Sequence, residues 1–335
     1  FLELFADPEV IAAVLDEPAI SWHAQEADRG ALEKALDQKI RFWHGLGYDA
    51  FWQGPSLALP DTLRLDADDT ASLTKDQRSW VDEKAGVITN WAEFERYPWP
   101  GAEDADFYPM TYAAKHLPDG MGLMAEVAGA LEPVMALMGY ETFALALYDQ
   151  PDLVQAMFDK IGEIHTPLVQ AAVQMERVIA LWIGDDMGFK TGTMVGPDHL
   201  RKYVLPIHKR YAQIAHQQGL PYLLHSCGNL EALMDDLIDD VGIDARHSFE
   251  DVIEPVESFA ARYGERIAVI GGVDMDVLAR GSEAQVRDRT REILERLAPT
   301  GGYVLGSGNS IANYIPLENF LAMVDEGWRF NSQRR

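Results

Sequence analysis

A closed (β/α)8 barrel of the TIM type, in a single domain with one irregular N-terminal insertion, is the fold this sequence predicts. Three observations predict it. Short apolar runs end in glycine or polar residues, segments with helical periodicity separate them, and the 335-residue length suits a barrel that carries an insertion.

The alternation is most regular from Val178 onward. Five runs read as buried parallel strands: "VIALWIGDD" (178–186), "PYLLHSCG" (221–228), "GIDARHSF" (242–249), "IAVIGGVD" (267–274) and "GGYVLGSGN" (301–309). Between the first two, Pro197 opens a helix in which Leu200, Val204, Ile207, Tyr211 and Ile214 recur every three or four residues until Gly219 ends it. Pro206 should kink that helix, because it has no N–H and crowds the preceding turn. Later helices are expected at 230–240, 254–263, 283–297 and 316–327.

Upstream, "GYDAFWQG" (47–54) and "GMGLMAEVAG" (120–129) supply two more strands, and "GVIT" (86–89) is the candidate for an eighth. The segment from about 57 to 118 is then an irregular insertion. Its stretch "NWAEFERYPWPGAEDADFYPM" is rich in tryptophan, tyrosine and acid, as a loop over the barrel mouth would be.

Composition narrows the function. With 28 basic against 54 acidic residues the formal net charge is −26, which opposes approach to a phosphate backbone or an anionic lipid surface, so neither nucleic acid nor membrane is an expected partner. No run of about 18 apolar residues exists to span a bilayer. One cysteine, Cys227, excludes an intramolecular disulfide and points to a reducing, cytoplasmic setting. The chain opens on Phe1, not methionine, so residues upstream of it are expected.

An α/β barrel carries its active site at the carboxyl ends of the strands. The polar residues at those ends here are Asp49, Glu126, Asp185, Asp186, His225, Cys227, His247, Asp274 and Asn309. His225 and Cys227 stand two apart, so on a strand they share a face and can reach one ion. Imidazole and thiolate suit zinc, with Asp186, His247, Asp274 and Asn309 as the remaining donors. The other reading is a packed thiol beside a hydrogen-bonded core histidine. Asp185 and Asp186 must face opposite ways on a regular strand: Asp186 is expected inward, and its neighbour is free to cap a loop or helix. Lys190, in the loop that follows, could hold an anionic group of a substrate. The glycine-rich "GSGNSIANYIPLENF" (306–320) matches no nucleotide-binding motif, but it sets Asn309 at a strand end.

Taken together, "GDDMG" with "PDHLRKYVLP", "HSCGN", "GIDARHSFE", "GGVDMDVLARGS" and "GYVLGSGNSI" with "IPLEN" resemble the uroporphyrinogen decarboxylase superfamily, which includes zinc-dependent methyltransferases that act with corrinoid proteins. The resemblance spans roughly the second half of the chain and implies the barrel fold. It also implies that His225 and Cys227 correspond to zinc ligands of the methyltransferase branch. A second family cysteine is replaced by Asn309, which calls for Asp186, His247 or Asp274 to complete the shell. The arginine-rich R-Q-A-G-R motif of the decarboxylases is absent from the N-terminal region, and an octacarboxylate substrate would meet a strongly acidic protein.

The expected function is therefore zinc-assisted methyl transfer between a small substrate and a corrinoid on a separate carrier protein, with Asp186, Lys190 and Asn309 as catalytic candidates and His225, Cys227, His247 and Asp274 as metal candidates. One alternative is a metal-free decarboxylase or lyase for a carboxylated small molecule or porphyrinogen, in which Asp186 stabilises positive charge. Another is a non-catalytic tetrapyrrole- or corrinoid-binding protein.

Overall fold

All seven of the apolar runs form strands in the computed structural model, which describes residues 1–20, 28–60, 64–68, 71, 73, 77–81 and 86–333. They are β1 (Ala50–Gln53), β2 (Gly122–Ala128), β3 (Val178–Gly184), β4 (Tyr222–His225), β5 (Ala245–His247), β6 (Ala268–Ile270) and β7 (Tyr303–Val304). Each pairs in parallel with the next in chain order, giving one curled seven-stranded sheet.

Alternation along the strands divides the side chains. Ala50, Met124, Ala180, Trp182, Leu223, Ala245, Ile270 and Val304 gather on the concave side into one cluster that also holds Leu2 and Leu4. On the convex side Leu123, Leu181, Ile183, Tyr222, Leu224 and Val269 join the larger core under the helices. Runs buried on both faces have no reason to alternate in polarity, and these do not.

The candidate eighth strand at 86–89 is not one. Ile88 is fully buried, but its N–H donates to the Leu137 carbonyl at 2.9 Å, outside the sheet. The edge beyond β7 is instead flanked by the segment Leu2–Ala6: Leu2 N–H donates to Leu305 O (2.9 Å), Ile311 N–H donates to Phe5 O (2.8 Å), and Ala6 bridges Ile311 in parallel. On the β1 side the Tyr48 hydroxyl reaches Glu3 at 3.2 Å. "FLELFA" gave no sign of lying along the sheet edge because Glu3 interrupts its apolar pattern, and Glu3 is tolerated inside because Ser307 and Tyr48 donate to it.

Burial raises the Glu3 carboxyl to about 7 despite those donors. The folded state thus binds the Glu3 proton more tightly than the unfolded chain does. Its contribution is complete below the unfolded value near 4.5 and is lost as pH rises through about 7. Urea melts between pH 4.5 and 7 should show Glu3→Gln removing a stability loss of up to about 1.4 kcal/mol per pH unit.

Pro206 acts through the helix geometry. The helix that Pro197 begins widens to a π turn over Leu200–Val204, where Leu205 N–H bonds Leu200 O, before the α-helix Leu205–Gln217. The wider turn relieves the crowding that proline imposes on the carbonyl four residues before it. The segment expected at 230–240 is likewise not one α-helix but a 3-10 turn, Glu231–Leu233, and a π turn, Asp236–Val241.

Within the expected insertion, an antiparallel pair (Arg64–Asp68 with Gln77–Val81) is followed by helices Trp91–Arg96 and Tyr108–His116. Residues 61–63, 69–70, 72, 74–76 and 82–85 of that expectation lie outside the described residues. Among the described residues, no helix is long and apolar enough to cross a membrane.

Candidate metal centre

The inward alternation that buries Leu223 on β4 and Ala245 on β5 brings His225 and His247 to the same concave side, opposite one another in register. Their Nδ1 atoms are 2.7 Å apart, so one ring donates to the other. Trp182 of β3 packs beside both rings, with centroids 6.4 Å from His225 and 5.7 Å from His247.

Beyond β4 the chain turns so that Cys227 Sγ lies 3.6 Å from His225 Nε2. Beyond β3, Asp186 Oδ1 accepts the Cys227 N–H at 2.7 Å and stands 3.5 Å from the same Nε2. The three ligand atoms all fall within 4.8 Å of one another. Asn309, from the loop after β7, donates its amide N–H to Sγ at 3.3 Å. Gly228 makes this turn possible: its φ is +82°, and a Cβ there would meet the backbone of Gly188 at 2.2 Å.

A tetrahedral zinc ion with bonds of about 2.0 Å to nitrogen or oxygen and 2.3 Å to sulfur sets its ligand atoms about 3.3–3.7 Å apart. The imidazole–thiol and imidazole–carboxylate separations of 3.6 and 3.5 Å fit that polyhedron. The electrostatics fit too. Burial opposes ionisation of Asp186, but His225 and the Cys227 N–H outweigh it and hold the carboxyl below its usual range. Burial and the neighbouring Asp186 push the Cys227 thiol up to about 12, so without a cation it keeps its proton and is no nucleophile. His247 is held well below the usual imidazole value by burial and by His225. His247 is therefore neutral.

The adjacent aspartates part company. Asp185 is fully buried and accepts the N–H groups of Ala130 (2.8 Å), Leu131 (2.9 Å) and Glu132 (2.9 Å) at the start of helix Leu131–Met138, as well as the N–H of His208 Nε2 (2.8 Å). Tyr222 in turn donates to His208 Nδ1 at 2.6 Å.

Two other sequence candidates stand apart from this cluster. Asp274 caps helix Met275–Arg280: Oδ1 accepts from Asp276 N–H and Oδ2 from Asp251 N–H, both at 2.8 Å, and it is not in the group within reach of one ion. A strand-end Asp just before a helix is as good a cap as a ligand. Lys190 is exposed at the tip of the small hairpin Gly188–Phe189/Gly192–Thr193.

Three residues of the mouth escaped sequence reasoning or its roles. Glu132 lies at a helix start instead of a strand end, and burial together with Asp185 and Asp186 raises its carboxyl to about 8. Glu126, two past Met124 on β2, is raised to about 7 by burial, partly offset by Lys39. Lys39 comes from the helix Arg29–Gly45 and is lowered to about 8 by burial. It shares with Glu126, Arg29 and Trp52 a cleft of about 390 Å³. Only Glu126 carried a sequence signal, its place at the end of an apolar run.

A parallel α/β sheet with His, Cys and Asp converging beyond its strand ends defines the class of protein. Residues 87–328 match the model of the uroporphyrinogen decarboxylase (URO-D) family, and the chain belongs to that family. It is similar to the uroporphyrinogen decarboxylase of Streptomyces avermitilis, 24% identical over 77% of this chain and 64% of that protein. The one from Cupriavidus pinatubonensis is 24% identical over 58% of this chain and 53% of its own length. The chain thus spans less than two thirds of the curated relatives it matches. In fold it resembles a methyltransferase from Methanosarcina mazei, with TM-score 0.71 and 18% identity over 98% of this chain and 93% of that one.

Proposed function

We propose that this chain is a zinc-dependent methyltransferase of the URO-D superfamily, acting between a small substrate and a corrinoid on a separate carrier protein. The observation that carries the reading is the spacing of Asp186, His225 and Cys227. These three would hold the ion, leaving a fourth position for substrate. A zinc ion there would act as a Lewis acid, stabilising a substrate thiolate or a leaving oxygen.

The remaining chemistry falls to the protein. Asn309 orients and supports Cys227 through its amide N–H. Glu132, whose carboxyl is raised to about 8 by burial and by Asp185 and Asp186, is the candidate proton donor to the leaving atom. Trp182 bounds the site on the β3 side and limits water behind the imidazoles. We read the domain as one barrel in which Leu2–Ala6 serves as the eighth stave, residues 57–118 cover the mouth, and the cytoplasm is the setting. Ser56 bridging Asp106, and Asp106 and Pro109 lining the cleft with Glu126, support the cover.

His247 is a positioning residue in this scheme. Neutral and buried, it fixes the tautomer of His225 through the Nδ1 pair, which leaves His225 Nε2 facing Asp186 and Cys227. His247→Ala is expected to weaken zinc about 10- to 100-fold while the three ligands remain, as read by competition with a fluorescent chelator. An unchanged affinity would remove His247 from the scheme.

The curated relatives favour a second reading, a metal-free decarboxylase on a smaller carboxylated substrate. Elemental analysis of protein purified without chelator separates the two. The methyltransferase reading needs close to one equivalent of zinc, and less than about half an equivalent, unchanged in Cys227→Ser, would sink it.

A further inference from the structure

Behind the candidate metal centre, on the convex side of the sheet, lies a cavity of about 320 Å³ that the proposed reaction does not use. Alternation sends Arg246 outward between the inward Ala245 and His247, so its guanidinium lines this cavity instead of the barrel interior. Arg246 is 5% exposed. Its Nη2 donates to Gly228 O at 3.2 Å and Nη1 reaches only the Met234 sulfur at 3.9 Å. Phe249 and Phe259 lie 5.1 and 4.8 Å from its Cζ, and its Nε has no hydrogen-bond partner among the described residues. A buried guanidinium without a carboxylate partner is costly, and burial lowers its pKa to about 10.

Of the acids in the same cavity, Glu254 and Glu231 favour its charge only through space, without a direct ion pair. Arg262 takes Glu231 at 2.6 Å and Glu254 at 2.7 Å. Glu250 also lines the wall, and no ion pair or side-chain hydrogen bond engages its carboxylate among the described residues. The cavity therefore presents an under-satisfied cation and an uncommitted anion. A simple anion would gain Arg246 but face three glutamates, and a simple cation would do the reverse.

We propose that this cavity binds a small zwitterion, an amino acid or one of its close analogues, with the carboxylate on Arg246 and the ammonium on Glu250. The planar guanidinium matches a carboxylate with its unused N–H groups, and the neutral ligand leaves the cavity charge unchanged. Its wall is continuous with the candidate metal centre, since Gly228 follows Cys227, and Ser248, which lines the cavity, also hydrogen-bonds the Cys227 side chain.

The test is calorimetric titration of the whole chain at neutral pH with glycine, γ-aminobutyrate, acetate and methylamine. One of the two zwitterions should bind at one per chain at least about tenfold tighter than acetate or methylamine, and Glu250→Gln and Arg246→Gln should each weaken it about tenfold or more. Circular dichroism checks that Arg246→Gln folds; where it does not, Glu250→Gln decides, because that side chain is only half-buried. Absence of zwitterion binding, acetate binding as tightly, or binding untouched by Glu250→Gln would each overturn the proposal. The readout needs neither zinc nor methyl transfer, so it stands or falls apart from the function proposed above.

Discussion

Cys227→Ala is expected to lower zinc affinity by more than about 100-fold, beyond the loss typical of a residue that only orients a ligand. The thiol is the only soft donor in the cluster, and it sits 3.6 Å from His225 Nε2, at the edge length of a tetrahedral site. Its proton, held by burial and by Asp186, must leave when a cation enters, so binding should release about one proton per ion in wild type. Calorimetric titration with zinc against a competing chelator, in two buffers of different ionisation enthalpy, measures both quantities. In Cys227→Ala the proton release should disappear with the affinity. Wild-type affinity in the variant, or an unaltered proton count, would mean that Cys227 is a packed thiol, and the methyltransferase reading would lose its support.

The seven strands were legible because each is an apolar run bounded by glycine or polar residues, and a parallel sheet covered on both faces leaves little else to write. The segment flanking the β7 edge was not. Glu3 breaks the run in "FLELFA", and its burial depends on donors from Tyr48 and Ser307, the latter 304 residues away. "GVIT" looked like a strand because Ile88 is indeed buried, but burial under Leu137 and pairing in a sheet produce the same letters.

The site shows the same division. His225 and Cys227 could be put on one face from spacing alone, and Asp186 could be separated from Asp185 by the two-residue period. The His225–His247 contact needed the β4–β5 register, which no single strand encodes. Asp274 and Asp186 are indistinguishable as strand-end aspartates. What separates them is the direction of the next helix, whose N–H groups claim Asp274. Glu132 and Lys39 enter the mouth from helices, outside the strand-end rule altogether.

Asp185→Ala should be the most destabilising single change near the centre, at about 3–5 kcal/mol, while leaving the three ligand atoms of the cluster in the sequence. The carboxylate is fully buried and holds together elements far apart in the chain. It satisfies three N–H groups that begin helix Leu131–Met138 and the N–H of His208, which itself receives the Tyr222 hydroxyl of β4. Removing it strands four donors, three of them buried, where the helix dipole favours negative charge. Asp186→Ala, one residue on, loses the Cys227 N–H bond and the 3.5 Å contact with His225, on a part-exposed side chain, and should cost less than about 1.5 kcal/mol. In zinc affinity the order reverses, with Asp186→Ala losing more than Asp185→Ala once each is measured on folded protein. Urea midpoints and chelator competition on the two variants give a two-by-two comparison. Equal stabilities would refute the structural assignment of Asp185, and equal zinc losses would refute the ligand assignment of Asp186, because the peptide bond between them turns one carboxylate into the helix cap and the other into the mouth.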